Sequence, residues 1–121
     1  MRIEDWMKFP VHAVRPLDSI ARARAVLEQY RINQLPVVVD NRLVGIITDR
    51  DLRRLTGMLD ATKVKDAMTE NVITVTPTTP INEAARLLRQ RKIGGLPVVE
   101  DGRLAGMITV TDVLEALTET E

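Results

Sequence analysis

The chain is one sequence unit written twice. Sliding the 121-residue sequence by 61 positions aligns residues 1–60 with residues 62–121 without a gap. The two copies carry the same residue at 21 of the 60 aligned positions. Unrelated sequences of average composition share about one position in fifteen, so the pattern indicates an internal duplication. The two copies use all 121 residues and leave no separate stretch for a catalytic domain.

Composition limits the possible functions. Seventeen basic and seventeen acidic side chains cancel, and only three aromatic residues occur, so neither the charge nor the stacking surface for nucleic-acid binding is present. There is no cysteine and one histidine, which argues against thiolate sites and clustered metal ligands. No apolar run reaches the ~20 residues of a membrane span, and the first residues lack a signal-peptide core, so we expect a cytoplasmic protein.

Hydrophobic periodicity predicts the order β-α-β-β-α in each copy. We place the first strands at Val11–Val14 and Val72–Val75, the second at Leu35–Val39 and Leu96–Val99, and the third at Leu43–Thr48 and Leu104–Thr109. Apolar residues at helical spacing predict a helix after each first strand, from Ile20 and from Ile81. A short last helix should run from Asp49 to about Leu55, and from Thr111 to about Leu117.

Local signals refine these elements. Thr79 and Pro80 fit an N-cap and a first helical position, and Asp18–Ser19 offers caps in the first copy. Asp40-Asn41-Arg42 and Asp101-Gly102-Arg103 predict hairpin turns. Gly45 and Gly106 fit packing or bulge positions.

The predicted fold class is α/β of the α+β type. Each copy alone would leave one sheet face bare, so we expect the two repeats to pack sheet to sheet about a pseudo-twofold axis. This gives one domain over residues 1–121, with repeats at 1–60 and 61–121. The segment Thr56–Met68 is the expected link.

The motifs resemble those of the CBS-domain family, named after cystathionine β-synthase, and of its tandem pair, the Bateman module. The resemblance rests on I-N-Q-L-P-V-V and I-G-G-L-P-V-V before the second strands. It also rests on G-I-I-T-D-R-D-L and G-M-I-T-V-T-D-V at the third strands. It covers essentially the whole chain, in order, in both copies. Such modules are regulatory, and many bind AMP, ADP, ATP, S-adenosylmethionine or NAD in clefts between the repeats.

The chemistry of the Thr-x-x-Asp pattern fits such a ligand. A carboxylate in the first turn of a helix can accept hydrogen bonds from both ribose hydroxyls, and the Thr hydroxyl and free amides can meet a phosphate. The alternative is a capping box, in which Thr48 or Thr109 caps the helix and Asp51 or Asp112 closes back on the backbone. The two roles are compatible.

The resemblance implies two clefts, each mixing the repeats. Cleft one would contain Thr48, Arg50, Asp51, Ile73, Ile93, Gly94, Gly95 and Pro97. Cleft two would contain His12, Ile32, Asn33, Gln34, Pro36, Thr109, Thr111 and Asp112.

Several of these residues have a second interpretation. The glycines allow the backbone to approach an adenine, or else end the preceding helix. His12 also fits a strand residue without chemistry. Lys63 and Lys65 are further phosphate candidates, with a solvated surface role as the alternative. Arg50 of cleft one is aligned with the uncharged Thr111 of cleft two, which predicts that cleft one takes the more phosphorylated ligand.

The sequence therefore favours a regulatory sensor of an adenosine compound, with no catalytic cofactor and no metal. The last helices are apolar on more than one side, through Leu52, Leu55, Val113, Leu114 and Leu117. We expect some of that surface to face the core and the rest, with Val26 and Leu87 of the first helices, to form a homodimer. The expected partner is a regulated enzyme or transporter. The alternative is a structural dimerisation module with empty clefts. An enzyme such as a nucleotide hydrolase is disfavoured, because no Walker loop, metal cluster or nucleophile–base pair is present.

Overall fold

A computed structural model describes residues 1–55, 57 and 61–119. The chain divides into two compact units. The contiguous unit is His12–Val72, and the split unit combines Met1–Val11 with Ile73–Glu121. The expected link Thr56–Met68 falls partly outside the described residues.

The elements repeat in the same order. The contiguous unit contains α1 (Ile20–Tyr30), β1 (Gln34–Val39), β2 (Arg42–Thr48), α2 (Asp49–Arg53) and α3 (Val64–Ala67). The split unit contains a 3₁₀ turn (Ile3–Asp5), α4 (Ile81–Arg91), β3 (Gly95–Glu100), β4 (Arg103–Thr109) and α5 (Val110–Glu119). The predicted mixed α/β class is confirmed. The last helices differ from their predicted ends, because α2 stops at Arg53 and α5 continues to Glu119.

Each unit is built on an antiparallel hairpin, as predicted. The turn residues Asp40 and Asn41 have φ of 50° and 64°, the backbone that a two-residue primed turn requires. In β1–β2 the register shifts after Val37, which pairs with Gly45, so Val44 is the extra residue of a β-bulge. The β3–β4 hairpin repeats the same shift at Val98 and Gly106.

The predicted first strands are wrong, because only one residue of each pairs. Val14 pairs in parallel with Val37: its N–H donates to Pro36 O at 3.1 Å, and its carbonyl accepts from Val38 N at 2.9 Å. In a parallel ladder the next bonds would need an N–H from Pro36 on one side and from Pro16 on the other. Neither proline has one, so the ladder stops. Val75 repeats this between Pro77 and Pro97.

The helix starts match the prediction in one copy and not in the other. Ser19 caps α1, its Oγ accepting from Arg22 N at 3.1 Å. For α4, the predicted N-cap Thr79 is wrong, because Pro80 is extended and occupies that position. The Thr79 hydroxyl instead accepts from Thr76 N at 3.1 Å, and the Ile81 N–H donates to Met1 O at 2.9 Å.

The first 11 residues of each copy, residues 1–11 and 62–72, form its lead-in. Each lead-in packs in the unit that holds most of the other copy. Lys8 of the first copy exchanges two backbone hydrogen bonds with Met107 on β4, at 2.9 and 3.1 Å. Thr69 of the second copy does the same with Ile46 on β2, at 2.9 Å each. Ile3 and Val64, from the two lead-ins, are fully buried. The lead-ins are thus reciprocally exchanged, and the compact units differ from the repeats as read along the chain.

Each unit has its own apolar core, and the two cores use equivalent positions. The core of the contiguous unit consists of Val14, Ile20, Ala23, Leu27, Leu35, Val37, Ile47, Leu52 and Val64. The core of the split unit consists of Ile3, Val75, Ile81, Ala84, Leu88, Leu96, Val98, Ile108, Val113 and Ala116. Both cores hold one hairpin against its helices, which fixes the strand-to-helix junction where the candidate site lies.

Candidate functional site

In the contiguous unit, Thr48 ends β2 and Asp51 lies in the first turn of α2. Thr48 Oγ1 accepts from Asp51 N at 3.2 Å, and Asp51 Oδ2 accepts from Thr48 N at 2.9 Å. The Thr48 hydroxyl also donates to Asp51 Oδ2 at 3.0 Å. The capping box that we kept as an alternative is therefore present, and it fixes the half-buried carboxylate at the junction.

The split unit contains the same arrangement at Thr109 and Asp112. Asp112 Oδ2 accepts from Thr109 N at 2.8 Å and from the Thr109 hydroxyl at 3.0 Å. Thr109 Oγ1 in turn accepts from Asp112 N at 3.3 Å. Asp112 is 1% exposed and is the one buried charged residue among those that the structure describes. A buried carboxylate requires compensation by hydrogen bonds or a counter-charge.

Lys8 supplies that counter-charge. Its Nζ lies 3.1 Å from Asp112 Oδ1 and 3.7 Å from Glu115 Oε2. The hydrogen bond to Asp112 and the charge of that carboxylate raise the pKa of Lys8 above its ordinary value of 10.5. Sequence reasoning missed Lys8, although a signal was available. The aligned position in the other copy is Thr69, and the position aligned with Glu115 is Arg54.

The two capping boxes, Thr48–Asp51 (the Asp51 box) and Thr109–Asp112 (the Asp112 box), also differ in the charge of the residues around them. Three arginines, Arg50, Arg53 and Arg54, lie next to Asp51 on α2 and at its end, together with the acidic Asp49. The positions aligned with these arginines are Thr111, Leu114 and Glu115. The charge beside Asp51 is therefore more positive than the charge beside Asp112.

The motif residues before the second strands reach the box of their own unit. Gln34 pairs with Thr48 across the hairpin, and Asn33 O accepts from Asp49 N at 2.9 Å. In the split unit Gly95 pairs with Thr109, and Gly94 O accepts from Val110 N at 3.1 Å. These contacts place both motif segments at the junctions. The division of the residues between two clefts stays a prediction.

Gly94 does not end the preceding helix, contrary to one of our two interpretations. α4 ends at Lys92, which adopts the left-handed conformation with φ of 54°. A Cβ on Gly94 would meet no described atom within 4 Å. Neither packing nor a left-handed backbone therefore requires glycine there.

The other predicted residues divide between the two units. In the contiguous unit, exposed His12 stacks on Tyr30 with ring centroids 3.6 Å apart, which gives it a packing role. Ile32 and Asn33 line a cavity of about 500 Å³ between α1 and α2. Pro36 and Pro97 are buried, Ile73 and Ile93 are half-buried, and Lys63 and Lys65 are exposed at α3.

In the part of the chain that the structure describes, no helix is long and apolar enough to cross a membrane. No group of three metal-ligating side chains comes together there.

Known proteins resemble this chain in sequence over most of its length. Inosine-5′-monophosphate dehydrogenase from Staphylococcus aureus is 43% identical over 102 residues, which are 81% of this chain and 20% of that enzyme. The chain thus spans about a fifth of the length of this curated relative.

Solved structures share the fold over nearly the whole chain. The CBS domain pair of protein MJ0100, in complex with 5′-methylthioadenosine and S-adenosyl-L-methionine, matches with a TM-score of 0.89 and 29% identity. The match covers 100% of this chain and 98% of that one. CBSX2, a protein of Arabidopsis thaliana, was solved in complex with AMP. It matches with a TM-score of 0.90 and 35% identity, over 98% of this chain and 97% of that one.

The sequence pattern of a known domain accounts for both copies. The CBS domain matches residues 3–57 and again residues 64–119. These ranges contain both hairpins and both Thr–Asp boxes. The chain therefore belongs to the CBS-domain family, of which it carries a tandem pair.

Proposed function

We propose that this chain is a regulatory module that binds an adenosine nucleotide or derivative at its two Thr–Asp boxes. The observation that carries the proposal is the repetition of one box, atom for atom, at the same junction in both units. A helix cap needs no particular residue in common between two copies, since Ser, Asp or Asn would serve as well as Thr. Retention of both Thr and Asp is what a shared ligand requires.

The geometry of the box suits a ribose phosphate. The carboxylates are acceptors held at a helix start, where a ribose diol can donate to them. The dipole at the start of each helix favours a phosphate nearby. Open space at Gly94 supports a ligand that approaches the backbone. The solved relatives support an adenosine compound, because one was crystallised with AMP and the other with two adenosine derivatives.

The two boxes should prefer different ligands. Arg50 and Arg54 place positive charge beside Asp51, whereas Thr111 and Glu115 stand at those positions beside Asp112. Phosphate binding gains from nearby arginines and loses beside a carboxylate. The Asp51 box is thus the site for the more phosphorylated compound.

We place the module in the cytoplasm, without catalytic activity of its own, as the sensor of a larger regulated enzyme or transporter. Ligand acts by preferring one arrangement of the module over another, and the differential affinity limits the size of the response.

Calorimetry tests the proposal directly. The protein is titrated with AMP, ADP, ATP, S-adenosylmethionine and NAD, after a thermal-shift screen in which a hundredfold excess over Kd stabilises by ~2.7 kcal/mol. Asp51→Ala and Asp112→Ala should each remove one site or weaken it at least about tenfold, since hydrogen bonds to a charged group contribute ~1.5–3 kcal/mol.

Because both carboxylates also cap helices, Asp51→Asn and Asp112→Asn keep a polar side chain of similar size for the same titrations. Asp66→Ala, an exposed aspartate on α3, is the matched control and should bind as the wild type does. If the double mutant kept both sites, the ribose assignment would be wrong.

A second candidate function is a structural dimerisation module. The observation that favours it is an apolar stripe on α5, in which Val110, Leu114 and Leu117 are 43%, 55% and 55% exposed. Absence of a thermal shift with every adenosine compound would favour this function over ligand sensing.

A further inference from the structure

Lys8 and Asp112 form a contact that links the two ends of the split unit. The ammonium lies 3.1 Å from Asp112 Oδ1, while Asp112 Oδ2 accepts both bonds from Thr109. Both oxygens of this carboxylate are therefore engaged within the protein. A ribose diol that donates to Asp112 has to compete with the lysine.

The backbone of Lys8 is held firmly, but its side chain is not. The residue makes two backbone hydrogen bonds with Met107, and its carbonyl lies so close to Gly106 that a Cβ there would be 2.9 Å from it. The Lys8 side chain, in contrast, is 65% exposed, and that of Asp112 is 2% exposed. A long flexible cation thus reaches from solvent onto a buried carboxylate, and it can leave without disturbing the strand contact.

The contiguous unit lacks this arrangement, although its backbone is the same. Thr69 makes with Ile46 the two backbone bonds that Lys8 makes with Met107. Its uncharged side chain cannot neutralise Asp51. Arg54, where the split unit has Glu115, would also repel a lysine at position 69. The lysine and its acidic neighbour are thus specific to the split unit, at the aligned pairs 8 with 69 and 115 with 54.

We propose that Lys8 is an internal occupant of the Asp112 box, which an adenosine ligand must displace, and that it thereby sets the preference between the two boxes. This inference rests on the proposed function of the Thr–Asp boxes. Glu115 helps to retain the ammonium, at 3.7 Å. The Asp51 box binds first, and the Asp112 box fills at higher ligand concentration.

The test isolates the Asp112 box in the full chain. In Asp51→Ala protein, which leaves one box, adenosine and AMP are titrated with and without Lys8→Met. Removal of the lysine should tighten binding about tenfold, the value of one charge-assisted hydrogen bond. Lys8→Gln, which can still reach Asp112 without charge, should give an intermediate affinity. Circular dichroism at the titration temperature establishes that each variant is folded.

A transplant provides the reciprocal experiment. In Asp112→Ala protein, Thr69→Lys combined with Arg54→Glu introduces the lysine and its acidic neighbour beside Asp51. Adenosine and AMP should then bind about tenfold more weakly at the Asp51 box than in Asp112→Ala alone. Adenosine has no phosphate, so the loss of Arg54 as a phosphate contact cannot produce the change seen with that ligand.

The outcomes separate this inference from the proposed function. If Asp51→Ala protein binds AMP and Lys8→Met leaves the affinity unchanged or weakens it, the lysine is not a displaced occupant and the inference is overturned. The proposed function then still holds. If wild-type protein and all variants bind neither adenosine nor AMP, the inference is overturned, and the proposed function is overturned with it only if ADP, ATP, S-adenosylmethionine and NAD also fail to bind.

Discussion

At the scale of single residues, the two boxes show how one motif acquires two environments. Asp51 and Asp112 make the same three hydrogen bonds with a threonine three positions earlier. They differ in burial and in charge, because Asp112 is 1% exposed and is paired with Lys8. The motif fixes the carboxylate, and the neighbours determine its burial and its counter-charge.

The Lys8–Asp112 pair should contribute to stability in a pH-dependent way. The pKa of Lys8 is raised in the folded protein by its hydrogen bond to Asp112 and by that charge. The contribution is complete below the ordinary pKa of 10.5 and is lost as the pH rises through the higher folded value. Lys8→Met should lower stability by about 1 kcal/mol at pH 7, a surface-pair value because the ammonium remains in contact with solvent.

Thermal unfolding of wild type and Lys8→Met between pH 7 and pH 11.5 measures this effect. The gap in Tm should stay constant up to about pH 10 and narrow above the ordinary lysine pKa. Lys65→Met, which removes an exposed lysine of α3, should show no such gap. A gap that persisted unchanged to pH 11.5 would contradict the ion-pair explanation.

The sequence allowed prediction of the boxes but not of the pair that distinguishes them. Thr48 to Asp51 and Thr109 to Asp112 are local patterns, in which spacing alone brings the side chains together. Lys8 and Asp112 lie at opposite ends of the sequence, and their contact depends on which hairpin receives the lead-in. Periodicity and spacing do not contain that information, and sequence reasoning did not use the charge differences between the aligned positions, so it overlooked Lys8.

At the scale of elements, the hairpins were predictable because their turns have a local cause. Positive φ at Asp40, Asn41, Asp101 and Gly102 is what these residue types tolerate. The first strands failed for an equally physical reason. β-branched runs favour strands, but a proline after each run and a proline in each partner strand remove the N–H groups that a longer ladder needs. The β propensity of these runs was outweighed by the missing backbone N–H donors of the prolines.

The glycines of the split unit provide a matched pair for mutation. A Cβ on Gly106 would lie 2.9 Å from both Lys8 O and Met7 Sδ, whereas a Cβ on Gly94 would meet nothing within 4 Å. Gly106→Ala should therefore destabilise by ~1–3 kcal/mol, as overpacking does, because it pushes against a backbone carbonyl. Gly94→Ala should change stability by no more than ~0.5 kcal/mol.

Urea denaturation of the two variants measures the difference. Gly94→Ala should still weaken binding of adenosine compounds if the backbone there approaches the ligand, so calorimetry on the same sample separates the two roles. Equal stability of the two variants would show that the lead-in can move away from β4 without cost.

At the scale of the whole molecule, the apolar stripe of α5 predicts self-association. Val110, Leu114 and Leu117 follow one another at positions i, i+4 and i+7, so they lie on one helix face, next to the buried face of Asp112, Val113 and Ala116. A contiguous exposed apolar face on a helix is typical of an interaction surface. We infer that it forms a homodimer interface.

Sedimentation velocity tests this interface. Leu114→Asp combined with Leu117→Asp should convert a dimer to a monomer at micromolar concentration, since it places charges on the apolar face. Leu17→Asp is the control, because Leu17 is 70% exposed in the loop before α1. A double mutant that sediments as the wild type does would exclude α5 from the interface.

The reciprocal exchange of the lead-ins also determines the order in which the protein can be completed during translation. The contiguous unit has all its parts once residue 72 has left the ribosome. Residues 1–11 emerge before the contiguous unit, yet β4 and α5, which they join, emerge after it. Lys8 can reach Asp112 only after residue 112 has been made. A nascent chain therefore carries a finished Asp51 box well before its Asp112 box exists.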